Sequence, residues 1–248
     1  ASQDWEVYAR YVQGVAFGRR DPLFGHDLGF YFFDLPALHS VFGATQAAVV
    51  LSGILIGAVY ALRGGVVLDV GMLRAHRRVR FHARALLASF AALLAIGAWL
   101  DRFELVFSDQ GPVAGASYAD VHARLPALAI LSGVAILAAV LVLVSGWRQG
   151  LALVGLSLGL VIGTDLLAVR IYPAIVERFS VQPNEAQREA PFIAYNLEAT
   201  RHAFGLDQVI ERDLNTARAL TAEDIANNQA TLDNVRLWDH RELLDTFA

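Results

Sequence analysis

Apolar positions gather into four long blocks along the chain. No formally charged residue occurs from Leu35 to Leu62, and the same holds from Ala85 to Leu100, a run that Phe81, Phe103, Leu105 and Phe107 extend. A third block runs from Pro126 to Trp147. The fourth, Gln149 to Phe179, is uncharged as far as Thr164 and is then broken by Asp165 and Arg170. A hydrocarbon core of about 30 Å demands roughly 20 apolar residues of a helix, and each block meets or approaches that length. The second is the shortest, and Arg84 at its edge can snorkel to the interface. The pattern predicts an all-α integral membrane protein with four transmembrane helices. Only Arg148 to Gly150 separate the last two, which implies a tight antiparallel hairpin.

Small residues recur at helical spacing inside these blocks. Gly155, Gly159 and Gly163 lie four apart on one face of the fourth, Gly53 and Gly57 do so in the first, and Ala88/Ala92 and Ala91/Ala95 in the second. Such rows let backbones approach closely, which is how helices associate in lipid. They predict helix packing, within the bundle or against another subunit.

The flanking segments read differently. Trp5, Tyr8, Val12 and Val15 predict a short amphipathic helix whose aromatics suit the headgroup layer. Between Arg19 and Pro36, Asp21-Pro22 and the glycines impose turns among clustered aromatics, predicting a segment along the membrane surface. After Pro173 the composition becomes that of a soluble protein. There Pro191 is placed to start a helix and Gly205 to end it, and Thr221 with Asp224 and Asp239 with Glu242 resemble capping-box starts. Three regions follow: an interfacial segment, 1–34; a four-helix transmembrane domain, 35–170; and a helical tail, 171–248.

Composition supports this division. The hydrophobic fraction is 56% with a mean hydropathy of +0.45, above the roughly 45–50% of soluble domains. The net charge is −4 and every basic side chain but histidine is arginine. The arginines build no long basic face, so no nucleic-acid partner is expected. Without cysteine, disulfides and thiolate chemistry are excluded. A chain opening Ala-Ser-Gln-Asp, without an initiator methionine, reads as a fragment or a trimmed product. Orientation comes from the arginines: Arg63, Arg74, Arg77, Arg78, Arg80 and Arg84 face the single acid Asp69 between the first two spans, and Arg148 lies in the last turn. By the positive-inside rule both turns are cytoplasmic, with the N- and C-termini on the other side of the membrane.

Candidate chemistry is sparse. Asp101 and Asp165 fall near the outer edge of the hydrocarbon, where Arg102 and Arg170 are placed to form interfacial ion pairs with them. His76 and His82 read as parts of a solvated turn drawn to anionic headgroups. Asp120 with His122, and His202 with His240, have no third group to complete a catalytic or metal constellation. No catalytic residue, metal ligand or cofactor is expected, and the chain is not expected to be an enzyme.

Three blocks carry a resemblance: Asp21-Pro22-Leu23-Phe24-Gly25-His26-Asp27-Leu28-Gly29-Phe30-Tyr31; Tyr172-Pro173 with Gln182-Pro183-Asn184-Glu185 and Glu189-Ala190-Pro191-Phe192-Ile193; and Asn234-Val235-Arg236-Leu237-Trp238-Asp239. Their order and spacing resemble a large, uncharacterised family of bacterial multi-pass membrane proteins. The resemblance implies architecture rather than activity: about seven membrane helices followed by a large domain outside the cytoplasm, of which this chain looks like the middle section. The expected function is a structural or accessory membrane subunit docking on partner proteins, in contact with the lipid bilayer. The alternatives are a component of a transporter or channel and, third, an envelope enzyme using the outer region.

Overall fold

A computed structural model describes residues 5–64, 66–69, 72–145, 150–210, 212, 220–235, 244 and 247. The chain forms two compact units, Ala1–Phe204 and Gly205–Ala248.

The first unit is built from helices. After the short α1 (Trp5–Val12) come α2 (Leu35–Leu62), α3 (Arg77–Glu104), α4 (Leu125–Val144) and α5 (Gly150–Thr164), then α6 (Tyr172–Val176) and α7 (Glu185–Ala203). Among the described residues four helical stretches are long and apolar enough to cross a membrane: Phe30–Leu62, Arg77–Phe107, Asp120–Val144 and one within Ala152–Ala203. The fold is all-α, apart from one short antiparallel hairpin, β1 (Val66–Asp69) with β2 (Met72–Ala75), at the arginine-rich turn.

Three of these stretches begin or continue beyond the blocks read from sequence, each passing through a π turn beside a proline. Leu35, Leu125, Tyr172 and Gln182 each precede a proline, and each donates its N–H to a carbonyl five residues back. The bonds run to Phe30, Asp120, Leu167 and Glu177 respectively. A proline ring crowds the carbonyl four positions before it and supplies no N–H of its own. The chain widens to a π turn at each site and keeps its helical course. Helices therefore start at Phe30 and Asp120 rather than at Leu35 and Pro126.

Packing is sequential: α2 lies on α3, α3 on α4 and α4 on α5. The main core is made of Ala95 and Ala98 of α3, Leu131, Ala135 and Ala138 of α4 and Val161 of α5. Ser132 Oγ donates to the Ala95 carbonyl at 2.9 Å, tying α4 to α3. The turn of the expected α4–α5 hairpin, 146–149, lies outside the described residues. A second cluster joins Tyr31, Leu35 and Leu100 with Phe24, Phe30, Phe42 and Phe103 at the other end of the bundle.

The helix expected to start at Pro191 starts at Glu185 instead, with Pro191 in its interior. Pro183, in a 3-10 turn just before it, takes the N-terminal place assigned to Pro191. Gly205 does end that helix, at φ +65, a left-handed conformation that a side chain disfavours. In the second unit Thr221 and Asp224 form a capping box that opens α8 (Ala222–Asn227), followed by α9 (Gln229–Leu232). Asp239 and Glu242 lie outside the described residues.

Candidate functional site

The two small-residue rows have opposite fates. On α3, Ala88, Ala91, Ala95 and Ala98 are buried, and the core they join reaches α4, whereas Ala92 is exposed. On α5 the buried positions are Ser157 and Val161. Gly155 and Gly159 stand two residues before them, about 200° around a helix turning 100° per residue. The glycine row therefore lies on the side of α5 away from the core. Beyond its own helical backbone, a methyl group placed at Gly155, Gly159 or Gly163 would meet no described atom within 4 Å, and the same is true at Gly57. At Gly53 it would touch only Leu86 Cδ1, at 4.0 Å. A close approach between α2 and α3 falls instead at Gly97, where a Cβ would stand 2.9 Å from Phe42 Cζ.

The interfacial charges pair differently from expectation in one case. Arg170 Nε donates to Asp165 Oδ2 at 2.8 Å, on the partly exposed end of the fourth stretch. Asp101 and Arg102 do not pair: adjacent helical residues point about 100° apart, and Arg102 lies over the Trp99 ring at 4.2 Å. Asp101 and Glu104 line a polar cavity of about 510 Å³ with Arg124, Asp165 and Arg170. His39 Nε2 stands 3.2 Å from Glu104 Oε1.

At this same end, irregular backbone is organised by carboxylates into a cap. Asp21 is buried and accepts from the N–H groups of Leu23, Phe24 and His26 and from the Tyr31 hydroxyl, at 2.6–2.8 Å. Gly25, at φ +72, supplies the turn between them. Asp27 accepts from Phe17, Gly18 and Gly29 N–H at 2.8–2.9 Å. Those donors, Phe17 and Gly29 foremost, hold its carboxyl below the usual range.

The loop between α3 and α4 is closed in the same way. Ser117 and Asp120 form a reciprocal cap: the Ser117 Oγ accepts from Asp120 N–H, and Asp120 Oδ2 accepts from both Ser117 N–H and Oγ. Arg124 stands 3.7 Å from Asp120, which is 2% exposed. One face of α7 docks on this loop. Glu189, 1% exposed, accepts the Tyr118 N–H at 3.0 Å, and Asn196 donates to the Ala114 carbonyl at 2.8 Å. Residues 188, 189, 192 and 196 recur at helical spacing, so one stripe makes all these contacts.

Asp120 and His122 form no acid–base pair. The His122 ring stacks on Tyr118 at 4.1 Å and its Nδ1 meets the Tyr118 carbonyl. His240 lies outside the described residues. Ser117-x-x-Asp120 repeats the spacing of Thr221-x-x-Asp224, a signal already present in the sequence. Glu189 carried no local signal, because its partner is 71 residues away. Among the described residues no group of three or more histidine, aspartate or glutamate side chains is arranged to hold a metal.

The whole chain, residues 1–248, matches the uncharacterised protein family UPF0182. The chain belongs to UPF0182. It is 36% identical over 244 residues to a UPF0182 protein of Pelobacter propionicus, covering 98% of this chain and 27% of that relative. A UPF0182 protein of Cupriavidus necator is 39% identical over 249 residues, with the same coverage of 98% and 27%. One of Geobacter sulfurreducens is 37% identical over 244 residues, again 98% of this chain and 27% of the relative. The chain thus spans about a quarter of the length of these bacterial UPF0182 proteins and corresponds to a middle section of a larger family member. No solved structure matches it. The first two blocks that carried the resemblance meet in the cap, through Asp21 to Tyr31 on one side and Glu189 to Phe192 on the other.

Proposed function

We propose that this segment is a structural, accessory part of a multi-pass membrane assembly, docking on partner helices through the open glycine faces of α5 and α2. The observation that carries this reading is the placement of Gly155, Gly159 and Gly163 opposite the core-facing Ser157 and Val161, with no other described element of this chain against them. A narrow flat face on an apolar helix is the surface that lets another helix approach to van der Waals contact. The second unit adds docking of its own kind: Ile225, Leu232 and Val235 are exposed on or beside its short helices.

The alternative, a transporter or channel component, is favoured by the polar cavity at Asp101, Glu104, Arg124 and Asp165. Leu128 and Leu131 already line that cavity, and below it Ala135, Ala138 and Val161 fill the space between helices. No charged group continues the path there, so docking is the better reading. The arginine asymmetry supports the orientation with both termini outside the bacterial cytoplasmic membrane.

The test is Gly159→Leu in the full-length protein. Leucine inserts favourably, at about −0.3 to −0.6 kcal/mol at mid-helix, so the span forms and the protein reaches the membrane. Partners that co-purify in mild detergent are lost, or the remaining helices of the longer chain become loosely held and protease-sensitive. Leu158→Ala, on an exposed neighbouring face, leaves both unchanged. Unchanged assembly in Gly159→Leu would show that the glycine row faces lipid. Orientation is read separately by single cysteines: Gln110→Cys is labelled by an impermeant reagent in intact cells and Arg78→Cys is shielded. Gln110 is exposed and so accessible to the reagent.

A further inference from the structure

The cap holds a cavity of about 440 Å³ between the Pro22–Leu23 turn, the segment 116–122 and the face of α7. Its size falls within the range of small-molecule sites, about 300–1,000 Å³. The wall is chiefly apolar and aromatic: Leu23, Tyr118, His122, Phe192 and Tyr195 line it, and among the described residues Arg188 alone brings a formal charge.

Arg188 is held in an unusual way. Its guanidinium lies 4.7 Å from the centroid of the Tyr118 ring and donates to the phenol oxygen. It makes no ion pair with any described carboxylate. The adjacent Glu189 is committed to the Tyr118 N–H, behind the wall. A guanidinium has five N–H donors in a planar fork that matches carboxylate and phosphate oxygens. Here an aromatic face and a neutral hydroxyl orient that fork, and its charge is left for something else. Beside it the stacked His122 and Tyr118 rings, with Phe192 edge-on to His122, offer flat apolar surface.

We propose that this cavity binds a small amphipathic anion, a carboxylate or phosphate carried on an aromatic or other planar apolar body. The anionic end pairs with Arg188, and the body packs against the rings of Tyr118, His122, Phe192 and Tyr195. A bare inorganic anion would leave the apolar wall unused, and a cation would face Arg188. The site is independent of helix docking, because none of its residues lies on α2 or α5.

The test is saturation-transfer NMR on the full-length protein in detergent micelles, with phenyl phosphate as the probe. Phenyl phosphate shows transfer, benzyl alcohol binds about tenfold or more weakly, and an equal concentration of inorganic phosphate does not displace the probe. Arg188→Gln weakens phenyl phosphate about tenfold, and Tyr195→Ala several-fold with thermal unfolding unchanged. A short-chain phosphatidylglycerol that displaces the probe at lower concentration overturns the planar body in favour of a lipid headgroup; failure to displace it supports a soluble anion with a planar body. Absence of transfer, equal binding of benzyl alcohol, or full displacement by inorganic phosphate overturns the proposal. So does unchanged binding in Arg188→Gln, or in Tyr195→Ala should Arg188→Gln fail to fold.

Discussion

The cap and the helical bundle are parts of one compact unit held together by different means. In the cap four carboxylates, Asp21, Asp27, Asp120 and Glu189, each accept backbone N–H groups, and three of the four are buried. In the bundle the contacts between α3, α4 and α5 are made by alanine, leucine and valine, with Ser132 as the polar tie. The difference follows from the backbone. A helix satisfies its own N–H and C=O groups, so the bundle needs only shape. Turns leave those groups without partners, and burying them requires side-chain acceptors. The cap is therefore specified by hydrogen bonds that charge and pH can disturb, and the bundle by volume.

The largest effect expected from this contrast is on volume. Ala135 is completely buried between α3 and α5. Ala135→Leu adds three carbons there and should cost about 3 kcal/mol, the upper end of typical overpacking. Gly155→Leu adds more atoms on the open face and should change the stability of the isolated chain by less than about 0.5 kcal/mol. Unfolding in mixed micelles measures both. Equal costs would mean that the glycine face is filled, and the contrast between the two small-residue rows would fail.

Next comes the cap. Glu189→Ala removes the acceptor of the Tyr118 N–H and leaves a buried donor unpaired, a loss of about 1–3 kcal/mol. Glu189→Gln keeps an acceptor oxygen and should recover most of it. If glutamine were as damaging as alanine, charge rather than hydrogen bonding would be holding α7 to the loop. A smaller effect belongs to Ser132→Ala, at about 0.6 kcal/mol, because the Ala95 carbonyl keeps its helical partner. A loss beyond 2 kcal/mol would show that the bundle too depends on polar ties.

The same division decides what could be read from sequence. The four apolar blocks and their order were legible because lipid imposes a length and a polarity on every spanning helix. Their ends were less so. Leu35-Pro36 and Leu125-Pro126 look like starting points, and the π turns that carry the helices back to Phe30 and Asp120 depend on a choice between widening and stopping that proline alone does not settle. Gly155 to Gly163 announced a packing face without saying against what, since a row of small residues reads the same whether its neighbour belongs to this chain or not. Arg102 adjoins Asp101 in sequence, yet the helix turns them apart. In the cap, local pairs such as Thr221 with Asp224 could be found by spacing, and Ser117 with Asp120 was equally available. The bond from Glu189 to Tyr118 was not, because it joins segments that only the fold brings together.

The smallest effect expected is the pH response of the N-terminal part of the cap, and it bears on the comparison most directly. Asp27 has its carboxyl held below its ordinary value of 3.8, first by the Phe17 N–H and then by Gly29, with Gly18 adding to them. A carboxyl whose value is lowered by folding binds its proton less readily in the native state than in the unfolded one. Its contribution is therefore complete above about pH 3.8 and is lost as the pH falls through the lower folded value. Amide hydrogen exchange at Gly18 and Gly29 should then lose protection, relative to the intrinsic rate, as the pH is taken below 3.8, with amides inside α4 unaffected over the same range. Asp27→Asn should lower that protection already at neutral pH and remove its pH dependence, since an amide oxygen replaces one acceptor and supplies no charge. Equal loss of protection in α4 would mean that acid acts on the bundle as a whole, and the cap would not be the separately held, charge-dependent part of the unit.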